Sequence, residues 1–119
     1  MQATTFVGRL KQVAGEAAVA DVLSQLTRPA GRRPTPEVAA RSDWFCGLSR
    51  TDKAQVEAVI AEAARAALFG VLCALDGSRA IVERDDGGAL ELRYRDNKQD
   101  TLLASTSPQS AVAPLHELL

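Results

Sequence analysis

The chain has 119 residues, of which 46% are hydrophobic, enough for one folded core and unlike the composition of a disordered chain. Its 14 basic and 15 acidic side chains give a formal net charge of −1, whereas general polyanion binders are strongly basic. We therefore expect a single domain over residues 1–119 that binds no nucleic acid.

Neither secretion nor a membrane span is indicated. Residues 1–15 lack an apolar core followed by a small-residue cleavage site. The longest uncharged run, Ala66–Leu75, is shorter than the roughly 20 residues that cross a bilayer. Cys46 and Cys73 form no CxxC motif and lie in apolar stretches, which favours buried, reduced thiols. We expect a cytoplasmic protein without membrane contact.

The first element is a predicted helix over Ala3–Leu26, because apolar residues recur there at alternating spacings of four and three. Gly15, near its middle, costs about 1 kcal/mol relative to alanine, so we expect a kink or a break there. Residues 29–34 hold two prolines and a glycine and predict a loop.

A second helix begins at Pro36, with Thr35 as its N-cap, and ends near Gly47. It carries Trp44 and Phe45, the main aromatic concentration of the chain. We expect these rings to plug one end of the core, with a ligand platform as the alternative.

The stretch Thr51–Gly77 predicts one long central helix. Asp52 and Gln55 have capping-box spacing, and Gly77 suits the left-handed position after a helix. We expect the uncharged second half to be covered on most sides. The residues expected to face the core share a helical stripe: Val56, Ile60, Ala63 and Ala67.

After Gly77 apolar residues no longer recur at helical spacing but at every second position, as in strands. This change predicts antiparallel strands at 80–82, 89–95 and 101–104. Tight turns are expected at 85–88 and 96–98. Pro114 can begin a helical turn that docks Leu115, Leu118 and Leu119. The predicted fold is α+β: N-terminal helices, one long central helix, a three-stranded antiparallel meander and a short C-terminal helical turn.

No set of residues predicts catalysis or a metal site. His116 is the only histidine, three residues from the end of the sequence, where side chains are seldom held rigidly. A zinc site would need Cys46, Cys73, His116 and a carboxylate. Zinc motifs contain ligands a few residues apart in the sequence, and Cys46, Cys73 and His116 are all far from one another. The glycines match no phosphate-loop pattern. We expect no catalytic residue, no metal and no cofactor.

Charge is distributed unevenly. Residues 28–53 hold six bases and three acids, and residues 76–100 hold seven acids and five bases. This indicates a polarised surface that can steer a charged protein partner, although scatter over a solvated surface explains it as well.

The predicted partner site lies on the second strand. Strict alternation places Glu91, Arg93 and Arg95 on its wet face, beside an acidic tip at Asp85 and Asp86. The competing surface is the basic segment 28–33, which would suit an acidic partner.

Three stretches, Leu68–Gly77, Leu90–Tyr94 and Leu115–Leu119, resemble small bacterial α+β proteins of the immunity type, which bind and block a cognate toxin. The similarity covers roughly the C-terminal half of the chain and lies in apolar spacing around Leu-Asp-Gly. It implies a protein partner, such as a secreted toxin domain, and no particular site residue.

The leading hypothesis is a non-enzymatic protein-binding domain, an immunity or antitoxin-like inhibitor of a bacterial toxin. One alternative is a small enzyme or ligand-binding domain with a pocket between helix and sheet. Another is a homo-oligomeric structural or regulatory protein, such as a homodimer, whose N-terminal helix pairs with its copy.

Overall fold

A computed structural model describes residues 1–81 and 87–119. The fold is α+β, with helices first, then a two-stranded antiparallel sheet and a terminal 3-10 turn, Leu115–Leu118. The chain divides into two compact units. The sheet unit comprises residues 1–12 and 66–119, and the helical unit comprises residues 13–65.

The N-terminal helix is confirmed, with an irregular middle. α1 (Ala3–Leu10) and α2 (Ala17–Thr27) are joined without a loop by π-helical Lys11–Glu16. Gly15 lies inside this π-helical stretch, so the irregularity falls where glycine weakens the α-helix. The predicted loop at 29–34 contains no helix or strand.

α3 (Pro36–Cys46) is capped as predicted, because the backbone N–H of Val38 donates to Thr35 Oγ1 at 3.4 Å. The helix packs on α2, where the Ser42 hydroxyl donates to the Leu26 carbonyl at 2.8 Å. Leu26 of α2 and Phe45 of α3 are both buried and belong to the core of the helical unit.

Trp44 does not join that core, since 56% of its surface is exposed. Adjacent residues on a helix point about 100° apart, and α3 turns Phe45 inward and leaves Trp44 on its exposed side. Both cysteines are free. Cys73 is buried as expected, but Cys46 is exposed.

α4 (Arg50–Leu75) confirms the long central helix, but its cap was predicted at the wrong residue. The Ser49 hydroxyl accepts the backbone N–H of Asp52 at 3.1 Å and is therefore the N-cap. The helix begins earlier than expected, which places Asp52 inside the first turn, where a carboxylate suits the helix dipole. Gly77 follows with φ of +82°, as predicted.

The buried row of α4 differs from the predicted stripe. Leu68, Leu72 and Cys73 are buried, and Val56 and Ile60 are half-buried. Ala63 and Ala67 are exposed, because the buried row follows every fourth residue instead of alternating four and three. The uncharged second half is not covered on most sides either: Val71 remains 53% exposed.

By length and composition alone, α4 also meets the requirements of a membrane span. An 18-residue window within it has a mean hydropathy of 1.9. The high value comes mainly from alanine and leucine, and 17% of the window is buried. A single helix of this kind does not by itself show a membrane span, since core helices of soluble proteins pass the same test of length and composition.

The core of the sheet unit is built from four elements. Its buried cluster comprises Val7 of α1, Leu68 and Leu72 of α4, Ala104 of the sheet and Leu115 of the terminal 3-10 turn. Half-buried Leu119 packs against this cluster as predicted. Leu118 was expected to dock but is 38% exposed and is not among the residues that pack against the cluster.

The sheet consists of β1 (Glu91–Arg95) and β2 (Asp100–Ser105). Exposed and half-buried residues alternate along β1 as its sequence predicts. The register shifts between Leu92 and Arg93, where β2 carries one extra residue. The turn at 96–98 is confirmed by Asp96, whose Oδ1 accepts the backbone N–H of Lys98 at 2.8 Å.

The predicted third strand is not found among the described residues. Ala80 and Ile81 have no strand partner, and the described sheet has two strands. The run Ala80-Ile81-Val82 is short and has no alternation, which leaves little to specify a register. Val82, Asp85 and Asp86 lie outside the described residues.

Candidate functional site

Four side chains on the exposed face of the sheet form a connected set of ion pairs, which we call the charged strip. Arg93 Nε lies 2.9 Å from Glu91 Oε2, and an Arg93 terminal nitrogen lies 3.3 Å from Asp100 Oδ1. Arg95 Nε lies 2.8 Å from the other Asp100 oxygen. Asp100 therefore bridges the two arginines.

The backbone of the hairpin explains why these side chains meet. Residues i, i+2 and i+4 of a strand share a face, which places Glu91, Arg93 and Arg95 in one row. Register then sets Arg95 directly opposite Asp100 at the start of β2. Cross-strand neighbours on one face are within reach of long side chains, so Arg93 also reaches Asp100 diagonally.

The ion pairs fix the protonation states within the strip. Hydrogen bonds to Glu91 and Asp100 raise the pKa of Arg93 above its ordinary value. Burial would raise the pKa of Asp100, but hydrogen bonds from Arg93 and Arg95 outweigh it and hold that pKa below its ordinary value. The strip presents two acids and two bases, so it is a fixed pattern of charge without a net sign.

Three of the five predicted site residues are thus brought together, namely Glu91, Arg93 and Arg95. Asp85 and Asp86 lie outside the described residues. Asp100 was missed by the sequence interpretation. Its signal was the turn at 96–98, because a hairpin closed there places position 100 opposite position 95.

A second polar cluster lies where α4 ends, and the sequence interpretation missed it as well. His116 Nδ1 lies 2.7 Å from Asp76 Oδ2, and the backbone N–H of His116 donates to the same oxygen at 3.1 Å. The backbone N–H of Ser78 donates to Asp76 Oδ1 at 3.0 Å. We call Asp76, Ser78 and His116 the Asp76 cluster.

The surroundings of the Asp76 carboxylate set its charge. Its side chain is 4% exposed. Burial would raise the pKa of Asp76, but hydrogen bonds from Ser78 and His116 outweigh burial and lower it to about 2. The carboxylate is therefore ionised throughout the neutral range and serves as a fixed acceptor.

The Asp76 cluster contains the residue types of a hydrolytic triad in a different arrangement. In such a triad the carboxylate and the hydroxyl occupy opposite nitrogens of the imidazole. Here Ser78 Oγ lies 3.2 Å from Nδ1 of His116, the nitrogen that Asp76 also contacts. His116 instead packs edge-on against Phe69, with ring centroids 5.4 Å apart. This geometry suits anchoring of the terminal turn.

Among residues 1–81 and 87–119, no group of three or more histidine, cysteine, aspartate or glutamate side chains is arranged to hold a metal ion. Cys46 belongs to the helical unit, and Cys73 belongs to the sheet unit.

Two surface depressions bear on ligand binding. One, of about 630 Å³, lies in the sheet unit and is lined by residues of the segments 77–81, 87–89 and 106–109. The other, of about 370 Å³, lies between α2 and α3 and is lined by Val22, Leu26 and Val38 with polar neighbours. Neither includes the charged strip.

The basic segment 28–33 lies in the helical unit, where Arg28, Arg32 and Arg33 are exposed. It remains a separate surface that an acidic partner can reach.

Comparison of the chain with protein-family models, with curated proteins and with solved structures gave no significant match.

Proposed function

We propose that this protein is a non-enzymatic protein-binding domain that uses the charged strip to bind its partner. The observation that carries the proposal is the set of ion pairs joining Glu91, Arg93, Arg95 and Asp100 on one exposed face. Long charged side chains normally lose rotamer freedom on docking. Side chains that already hold one another lose less, which favours recognition of a partner.

The kind of recognition follows from the order of charges in the strip. Because positive and negative groups balance, the strip has little long-range attraction for either sign of charge. A partner that places a carboxylate near Arg95 and a cation near Glu91 matches the pattern at short range. The strip therefore supports partner choice more than general electrostatic attraction.

The more specific part of the proposal is an immunity or antitoxin-like inhibitor, acting in the cytoplasm on a secreted toxin domain. Its support is the resemblance of Leu68–Gly77, Leu90–Tyr94 and Leu115–Leu119 to immunity-type proteins. An inhibitor of this kind needs a complementary surface and no catalytic group of its own.

The test begins with the proteins encoded by the genes beside this one: any toxin-like product among them is measured for binding to the purified chain. A strip variant carries Arg93→Glu and Arg95→Glu, and a matched control carries Arg28→Glu and Arg32→Glu in the basic segment. We expect the strip variant to weaken binding at least about tenfold, since charge reversal replaces attraction by repulsion. The control should bind as the unmodified chain does.

A strip variant that folds and binds normally, beside a control that no longer binds, would move the docking surface to residues 28–33. If no neighbouring gene encodes a toxin-like protein that binds the chain, the immunity assignment is wrong. Affinity purification in high salt then tests whether the chain binds any other protein.

A further inference from the structure

The outer edge of β1 presents backbone groups that have no partner in the described part of the chain. Thr106 N–H donates to the Leu90 carbonyl at 3.0 Å, and Asp96 N–H donates to the Gln99 carbonyl at 3.0 Å. Residues of an antiparallel strand direct their N–H and C=O groups alternately to the two sides. Even-numbered residues of β1 therefore face β2, while Glu91, Arg93 and Arg95 direct their backbone groups away from it.

The extra residue of the bulge lies on β2, so it does not interrupt this alternation along β1. Within residues 1–81 and 87–119, no backbone group pairs with the outward N–H and C=O groups of β1. An exposed row of this kind is a template for another strand.

We propose that β1 pairs antiparallel with β1 of a second copy of this chain, around a two-fold axis at Arg93. This interface goes beyond the binding of a heterologous partner by the charged strip. The N–H and C=O groups of Arg93 would pair with those of Arg93 in the second copy. Those of Glu91 would pair with those of Arg95.

The side chains of β1 are complementary under this two-fold arrangement. On the exposed face, Glu91 lies opposite Arg95 of the second copy, and the reverse pair forms on the other side of the axis. On the inner face, Leu92 lies opposite Tyr94 of the second copy. Opposite charges and aliphatic–aromatic pairs at directly opposed positions both stabilise antiparallel sheets.

The central pair places Arg93 opposite Arg93 of the second copy, which alone is unfavourable. Each Arg93 already has carboxylates of its own chain beside it, at Glu91 and Asp100. These carboxylates screen the two guanidinium groups from each other. The resulting four-stranded sheet would carry both charged strips on one continuous face.

Sedimentation equilibrium of the full chain tests the proposal. A five-residue strand pairing buries less area than a standard interface, so we expect a dissociation constant of about 10–100 µM. The decisive measurement uses two variants, Glu91→Arg and Arg95→Glu, alone and mixed in equal amounts.

Each variant alone sets like charges opposite each other at both outer pairs and should self-associate about tenfold more weakly than the unmodified chain. In the mixture, arginines at 91 and 95 of one chain meet glutamates at 95 and 91 of the other. The mixture should therefore recover dimer formation. As a matched control, Glu57→Arg on the exposed part of α4 should leave self-association unchanged.

A further variant, Arg93→Pro, removes an outward N–H without removing a hydrogen bond to β2, and prolines are tolerated at such edges. It should be monomeric, with the circular dichroism spectrum of the unmodified chain. A chain that stays monomeric near 1 mM would overturn the proposal, and so would equal self-association of each variant and their mixture. In the second case the contact between copies lies elsewhere, for example along the N-terminal helix.

Discussion

Nδ1 of His116 lies 2.7 Å from Oδ2 of Asp76, a residue forty positions earlier at the end of α4. The same carboxylate also accepts the backbone N–H of His116 at 3.1 Å. Leu115, the preceding residue, is fully buried in the core of the sheet unit. The polar contact thus holds the terminal turn where its leucine completes the core.

Replacing Asp76 by asparagine should therefore destabilise the fold and remove part of its acid sensitivity. The pKa of Asp76 is about 2 in the folded chain, against an ordinary value of 3.8. Stability from this carboxylate is fully present above about pH 5 and is lost as the pH falls through the folded pKa. The shift corresponds to about 2 kcal/mol, to be measured by urea unfolding at pH 7 and pH 2.5.

Asp21→Asn on the exposed side of α2 is the control, and its unfolding should follow the unmodified chain at both pH values. The anchoring role of Asp76 would be wrong if Asp76→Asn left the free energy of unfolding unchanged at pH 7.

Neighbouring residues of α4 should differ sharply when truncated. Leu72 is fully buried, and Leu72→Ala should cost about 2–5 kcal/mol through lost burial and the cavity that remains. Val71, one residue earlier, is 53% exposed, so Val71→Ala should change stability by less than about 0.5 kcal/mol. Denaturant unfolding measures both, and equal losses would contradict the burial described for this helix.

Gly77 should resist substitution more than Gly87, although both have positive φ, +82° and +68°. A Cβ atom at Gly77 would lie 3.0 Å from the Cα atom of Thr106, whereas at Gly87 it meets nothing described within 4 Å. Gly87→Ala should cost about 1 kcal/mol from backbone strain alone. Gly77→Ala should cost measurably more, and thermal melting of the two variants would show the order.

Acidic residues at and before β1 in the sequence should add the long-range attraction that the balanced strip lacks, and so control the association rate with the partner. Reversing Asp85, Asp86 and Glu91 to lysine should slow association markedly at low salt and mildly at high salt, because screening removes the difference. Stability should hardly change, since exposed charges contribute little to it. Stopped-flow association over a salt series measures the effect, and a rate independent of these residues would exclude the hairpin as the docking surface.

The helices could be predicted from the sequence because their signals are local. Thr35 and Pro36 mark a helix start within two residues, and Gly77 marks a stop. Ser49 was overlooked as a cap because Asp52 offered a competing signal three residues later. Exposure of Trp44 and Val71 depends on which neighbours pack against each face, and periodicity within one helix does not contain that information.

The charged strip could be predicted largely from local sequence, whereas the Asp76 cluster could not. Alternation alone placed Glu91, Arg93 and Arg95 on one face, and hairpin register added Asp100. The contact between Asp76 and His116 joins distant parts of the chain, so no local pattern predicts it. The short segment beginning at Ala80 lacked alternation, which is why its assignment as a strand had the weakest basis.

The composition of the sheet-unit core has a consequence for how the protein is made. Val7 and Leu115 belong to one buried cluster, although nearly the whole sequence separates them. That cluster cannot close during synthesis until the segment carrying Leu115 has left the ribosome. Until then Leu68 and Leu72 stay without their final partners, so the nascent chain exposes apolar surface of the kind that chaperones recognise.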